Sequence, residues 1–226
     1  MTSLVGRTTP GIQRVGDTVR RPTGAHSEFV HAVLRHLEAR GFTGAPRYLG
    51  AEPGVEIVSF VGGEVPQELG WFSAAQFTAA ARLLRELHDA TCDFDGLASH
   101  QVICHGDVSP CNSVFRDGLP VAFIDFDAAH PGTRREDVGY AAWLWLDLGD
   151  SDLDPTAQGR RLGEFVTAYE AFDSRDAIPA VIDAQAELSS RLGAPPPTRE
   201  WAEACRRWSI ANRAALAAGL ASAAPA

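Results

Sequence analysis

Residues 102–127, VICHGDVSPCNSVFRDGLPVAFIDFD, constrain this chain more than any other stretch, because short apolar runs alternate there with side chains capable of proton and metal chemistry. The run before His105 reads as a buried strand. Pro110 forbids helix across Asp107-Val108-Ser109-Pro110-Cys111-Asn112, so Asp107 falls on a stiff loop. From Ser113 to Ile124 the chain has a hairpin pattern, with Asp117-Gly118 as its turn. A turn centred near Gly118 sets Asn112 opposite Asp125. One amide oxygen and one carboxylate suit a hard cation such as Mg²⁺, which takes a few fixed oxygen ligands and keeps places for phosphate and water. Asp107 faces the same place from the loop. Of the three, Asp107 and Asn112 taken singly read as turn residues bonding their own backbone, the commonest use of Asx residues in loops. Their joint spacing beside a hairpin is what singles them out.

An aspartate base, an asparagine five residues on and then a second aspartate is the order of the catalytic and metal loops in phosphoryl transfer. The segment closely resembles the aminoglycoside phosphotransferase family of the protein-kinase-like group. There the pattern is His-Gly-Asp-x-x-x-x-Asn followed by Ile-Asp-Phe or Ile-Asp-Trp; here it stands as His105-Gly106-Asp107, Asn112 and Ile124-Asp125-Phe126. The resemblance implies a two-lobed α+β fold, with a small β-rich nucleotide-binding lobe over residues 1–62 and a mostly helical large lobe over residues 63–226. It implies ATP and Mg²⁺, with Asp107 as base, Asn112 and Asp125 on the metal, His105 supporting the loop and Asp137 propping it up. The implied reaction carries the ATP γ-phosphoryl group to a hydroxyl of an aminoglycoside-like or amino-alcohol acceptor.

Composition narrows the partners. At 226 residues and 45% hydrophobic the chain can bury a sizeable core. It has no apolar run of membrane-spanning length and no basic patch leading into an apolar stretch at its start, so a cytoplasmic location is expected. A net charge of −9 argues against nucleic acid and is compatible with a cationic small-molecule acceptor. The four cysteines form no CxxC pair and no disulfide framework. Cys104 and His105 invite a nucleophile-and-base reading, but strand neighbours point to opposite faces. All 20 basic residues are arginine.

That last fact bears on the small lobe. Residues 4–22 read as loop, strand, tight turn and strand, with Gly6 and Gly11 placed where a phosphate-covering loop would lie; ordinary turns explain two glycines equally well. By resemblance the second strand carries a phosphate-binding lysine. With none in the chain, Arg20 is expected to take its place, with Arg21 as competitor on the opposite face. Ser27 is expected to cap a helix over Phe29, Val30, Val33, Leu34 and Leu37, stopped by Gly41. Glu28 is the nearest candidate for its ion-pair glutamate, although a first-turn carboxylate is favoured there anyway. Two strands follow, around Glu52-Pro53-Gly54. The resemblance makes the second a hinge whose backbone at Ser59 and Val61 bonds adenine.

In the remainder, Ser73 and Gln76 announce a capping box for a helix reaching about Thr91. A helix from Arg134 is apolar nearly all round and therefore buried. Trp143 and Trp145, two residues apart, point roughly 200° from one another and read as core rather than as a cation cage. The acidic run Asp147, Asp150, Asp152 and Asp154 reads chiefly as a solvated loop, with Asp154-Pro155 starting a helix. Three further helices are expected, at about 155–172, 176–192 and 199–218. Two other functions stay open from sequence: a nucleotide-binding pseudoenzyme, suggested by the missing lysine, and a metal-dependent hydrolase using Asp107, Asp125 and Asp127.

Overall fold

A computed structural model describes residues 2–3, 11–150 and 152–223. The stretch 4–10, including Gly6, lies outside the described residues. Strands β1 (Thr2–Ser3), β2 (Gln13–Val15), β3 (Thr18–Pro22), β4 (Tyr48–Glu52) and β5 (Val55–Ser59) form one antiparallel sheet in the order β1-β2-β3-β5-β4. Gly16, at φ 60°, makes the tight turn between β2 and β3. Helix α1 (Ser27–Ala39) buries Val30, Val33, Leu34 and Leu37 at helical spacing. Its cap position is His26, not Ser27. The Ser27 hydroxyl instead accepts the Gly24 N–H, so Ser27 is already the first helical residue. Gly41, at φ 74°, ends the helix as expected, its N–H reaching the Glu38 carbonyl while that of Phe42 reaches Leu37.

The chain leaves the sheet through Phe60–Gly63 and is tied at once to the lower part of the molecule. Glu64 exchanges both backbone bonds with Phe115, and a Cβ on Gly63 would collide with the Phe115 carbonyl oxygen. Helix α2 (Ala74–Thr91) starts in the expected capping box of Ser73 and Gln76. Two small antiparallel pairs follow, β6 (Val102–Cys104) with β9 (His130–Gly132), and the hairpin β7 (Ser113–Arg116) with β8 (Leu119–Phe123). Asp117 and Gly118 both have positive φ, at 50° and 78°, as a two-residue hairpin turn of right-handed strands requires.

Helices α3 (Arg134–Leu146), α4 (Pro155–Tyr169), α5 (Ala177–Ser190), α6 (Pro196–Ala211) and α7 (Arg213–Ser222) complete the large lobe. The single helix expected over 199–218 is two. It breaks at Asn212, whose φ of −102° departs from helical geometry and whose side-chain amide bonds back to the Trp208 carbonyl. The core runs through Phe77, Leu84, Leu87, Phe123, Trp143, Trp145 and Phe165, each fully buried. Trp143 stacks on Trp201 while Trp145 meets Phe72 and Phe115, so the two indoles do serve opposite sides of α3. No helix among the described residues is long and apolar enough to cross a membrane.

Candidate active site

The loop after β6 is held from below by one buried carboxylate. Asp137, in the first turn of α3, accepts the N–H groups of His105 at 2.7 Å and Gly106 at 3.0 Å, together with Nε2 of His88 at 3.1 Å. Burial alone would raise the Asp137 carboxyl, but the bond from His88 and its other donors hold it below the ordinary range. Burial also lowers His88, despite Asp137 beside it. The two shifts agree on a neutral imidazole against an ionised carboxylate. His88 then donates from Nε2, and its Nδ1 accepts the Tyr169 hydroxyl at 2.7 Å. Tyr169, pushed up to about 12 by burial, keeps its proton and takes a bond from Arg134 at 3.2 Å. Gly106 sits at φ 77°, and a Cβ there would strike the Ala128 carbonyl oxygen.

His105 is fully buried and does support the loop: its Nε2 bonds the Ile124 carbonyl at 3.0 Å and its Nδ1 receives the Asp107 N–H at 3.3 Å. It therefore links the loop after β6 to the chain just before Asp125. Cys104 is buried with its thiol on the Thr133 carbonyl, and burial keeps that thiol protonated, so no nucleophile sits there. His88, Cys104 and Asp137 present ligand-type atoms within 4.8 Å of one another. Both His88 nitrogens and both Asp137 oxygens are engaged in hydrogen bonds, so this cluster is a structural network rather than a metal centre.

Asp107 stands half-buried above that platform. Its Oδ2 accepts Asn112 Nδ2 at 2.8 Å and its Oδ1 accepts the Tyr140 hydroxyl at 2.9 Å. Asn112 closes a single turn of 3₁₀ helix begun at Pro110, and its carbonyl receives the Ile124 N–H at 2.8 Å. Ser113 pairs with Phe123, so Asn112 and Asp125 emerge together at the open end of the hairpin. Asp125 is left-handed at φ 66°, ψ 63°, a conformation that aspartate tolerates better than most side chains and that turns it away from the strand line. Burial first, and then the charge of Asp127, push its carboxyl up, while Arg21 works against them.

Arg21 is the cation of this site. It reaches Asp125 at 3.3 Å and Asp127 at 2.7 Å, and its Nε meets Glu56. The expectation of Arg20 needs correcting by one residue. Arg20 pairs with Glu52 at 3.1 Å on the other face of the sheet, and 37% of its side chain is exposed. The cause is register: Arg21 lies directly across from Glu56 in the β3–β5 pair, and alternation sends Arg20 the other way. Glu28 is exposed and has no part in the ion pair; Glu56 of β5, 1% exposed, takes it. Ser59 ends β5, its amide N–H already given to the Arg47 carbonyl at 2.8 Å, so that donor is not offered to a ligand. Val61 lies half-buried in the connection to the large lobe. Tyr140, Glu56, His31 and His88 had no assigned role in sequence; a chemically ordinary residue far away in the chain gives no spacing signal.

Residues 92–178, from the end of α2 to the start of α5, match the phosphotransferase enzyme family. The trifolitoxin immunity protein of Rhizobium leguminosarum bv. trifolii is 39% identical over 166 residues, which is 66% of this chain and 62% of that protein. The chain thus spans less than two thirds of the length of this curated relative. Plasmodium vivax ethanolamine kinase superposes with a TM-score of 0.62 at 14% identity, covering 88% of this chain and 77% of its own. An aminoglycoside phosphotransferase from Streptomyces rimosus, solved with ADP and streptomycin, gives 0.56 at 14% identity, covering 88% and 94%. Such likenesses establish the kinase-like two-lobed α+β fold.

Proposed function

We propose that this phosphotransferase-family protein moves the γ-phosphoryl group of ATP to a hydroxyl of a small molecule, using Asp107, Asn112, Asp125 and Arg21. The observation that carries this reading is the meeting of Arg21, from the sheet, with Asp125, at the hairpin mouth, beside the Asn112–Asp107 bond. The donor set fits a divalent cation. Asn112 spends its amide nitrogen on Asp107 and so presents its oxygen, while Asp125 and Asp127 supply paired carboxylates whose mutual repulsion a cation relieves. Mg²⁺ held there would neutralise phosphate charge.

The chain's own residues do the rest. Arg21 forks toward phosphate oxygens while anchored by Glu56, a task that a planar guanidinium performs well. Asp107 takes the acceptor's hydroxyl proton as the acceptor oxygen bonds to the γ-phosphorus and the bond from that phosphorus to the β–γ bridging oxygen breaks, releasing ADP. Each of its oxygens accepts one bond in the structure and has a second lone pair for that proton. Adenine lies along the connection between the lobes, bonded by Val61 and by the Ser59 carbonyl, with residues 1–62 as the nucleotide lobe and 63–226 as the catalytic lobe. The acceptor is a hydroxylated, cationic small molecule, in keeping with the net charge of −9. The kinship with an immunity protein supports a toxic acceptor inactivated in the cytoplasm, where ATP is found. ADP release from Mg–ATP across a panel of aminoglycosides and amino-alcohols, with Asp107→Asn as control, tests the proposal. Phosphate release from simple esters without ATP would instead favour hydrolysis, and folding without ATP consumption on any acceptor would favour a pseudoenzyme.

A further inference from the structure

The arginine that meets Asp125 is held by a glutamate from the neighbouring strand, and that glutamate is in turn held by helix α1. Glu56 is 1% exposed, with one oxygen on Arg21 Nε and the other on His31 Nε2. A carboxylate only accepts, so His31 carries its proton on Nε2 and donates it. His31 is itself fixed. It is 7% exposed on the buried face of α1, and its ring stacks on Tyr48 of β4 with centroids 4.1 Å apart. Arg35, one turn further along α1, covers the other part of that stack, its guanidinium carbon 4.3 Å from the Tyr48 ring centre. Helix α1 therefore grips the sheet through His31, and the sheet passes that grip to Arg21 through Glu56.

We propose that His31 is a positioning residue for phosphate binding: by holding the far oxygen of Glu56, it fixes the anchor of Arg21 and lets the placement of α1 decide where the guanidinium meets the nucleotide. This rests on the phosphotransferase reading of the site. The geometry distinguishes Glu56 from the other two carboxylates on Arg21. Asp125 and Asp127 are 36% and 54% exposed in their side chains and stand at the cleft, whereas Glu56 is walled in. A walled-in carboxylate that loses its second donor is free to rotate or to draw Arg21 deeper into the sheet, and in both cases the fork moves off the phosphates.

The test is Mg–ATP binding by calorimetry, together with steady-state kinetics on the full chain. His31→Ala should weaken Mg–ATP affinity about tenfold and raise the KM for ATP in proportion, with the KM for the acceptor unchanged. His31→Gln, whose amide can still donate to Glu56, should recover most of the loss. Val33→Ala, buried like His31 on α1 but pointing away from it around the helix, serves as the stability control. It should lower the melting temperature at least as much as His31→Ala while leaving affinity at the wild-type value. His31→Ala and Glu56→Gln together should be no worse than Glu56→Gln alone. Equal affinity in His31→Ala and wild type, or an equal loss in Val33→Ala, would overturn the proposal. Absence of Mg–ATP binding by the wild-type protein would instead sink the phosphotransferase reading on which it stands.

Discussion

The loop from His105 to Asn112 and the sheet above it solve the same task, holding one charged group at the candidate site, in opposite ways. Asp107 is fixed by near neighbours: Asn112 five residues on, the His105 ring two residues back, and a platform of backbone N–H groups bonded to Asp137. Arg21 is fixed by residues distant in sequence, Glu56 and Asp125, brought to it by strand pairing and by the hairpin mouth lying against the sheet. The first arrangement is written into a short motif. The second depends on register, so a shift of one residue would exchange Arg21 for Arg20. Local spacing holds Asp107 through neighbours along the chain, whereas pairing across a sheet holds Arg21 through residues far from it in sequence.

The sharpest way to break this comparison is at its motif end. Asp107→Asn should keep the fold and Mg–ATP affinity and lower turnover by roughly 10²-fold or more, since it removes the proton acceptor and little else. Unchanged turnover in single-turnover assays would remove the base role. At the register end, Arg21→Ala should weaken nucleotide binding or turnover by about 1.5 to 3 kcal/mol, the worth of a charge-assisted bond. Arg20→Ala should cost about 0 to 1 kcal/mol, because its partner Glu52 lies in solvent on the far face. Reversal of the two results would place the cleft on the other side of β3.

The same contrast explains what could be read from sequence. Helix α2, the Asp117-Gly118 hairpin and the loop from His105 to Asn112 follow from local chemistry, namely a capping box, a positive-φ turn and a proline. The choice between Arg20 and Arg21 needed the pairing of β3 with β5, which no local signal fixes, because both faces of β3 are partly exposed and polar. Glu56 was hidden for a similar reason: in Val55–Ser59 it occupies a position with apolar neighbours, and Arg21 and His31 make its burial tolerable. The break at Asn212 was illegible because the apolar spacing runs on from Trp208 into α7.

A third prediction probes the platform beneath the loop. Asp137 and His88 both titrate below their ordinary values of 3.8 and 6.5, so the unfolded chain binds more protons than the folded one in each range. Stability should therefore be at full strength above pH 6.5, fall as the pH drops below that value through His88, and fall again below 3.8 through Asp137. Each proton contributes at most about 1.4 kcal/mol per pH unit. His88→Gln should flatten the slope of unfolding free energy just below pH 6.5 and also reduce the slope below 3.8, since His88 is the first of the groups that hold Asp137 down, as chemical denaturation at a series of pH values would show. An unchanged slope below pH 6.5 would mean that His88 is charged in the folded protein.

A small effect is expected at Tyr140, which joins the two kinds of anchoring. It comes from α3, distant in sequence, yet its hydroxyl donates to Asp107 at 2.9 Å, inside the local motif. Burial and the Asp107 charge raise the Tyr140 hydroxyl well above its usual range, so it stays a donor at any working pH. If local neighbours suffice for Asp107, this bond adds only orientation. Tyr140→Phe keeps the ring against Trp143 and removes one donor while Asn112 still holds Oδ2. The cost should be about 0.5 to 1.5 kcal/mol in kcat, a factor of roughly 2 to 12, with the KM for ATP unchanged. Placed in the Asp107→Asn background, the same change should have no further effect, because there is then no carboxylate to orient. A drop beyond about 10²-fold from Tyr140→Phe alone would show that Asp107 depends on its distant anchor as heavily as Arg21 does.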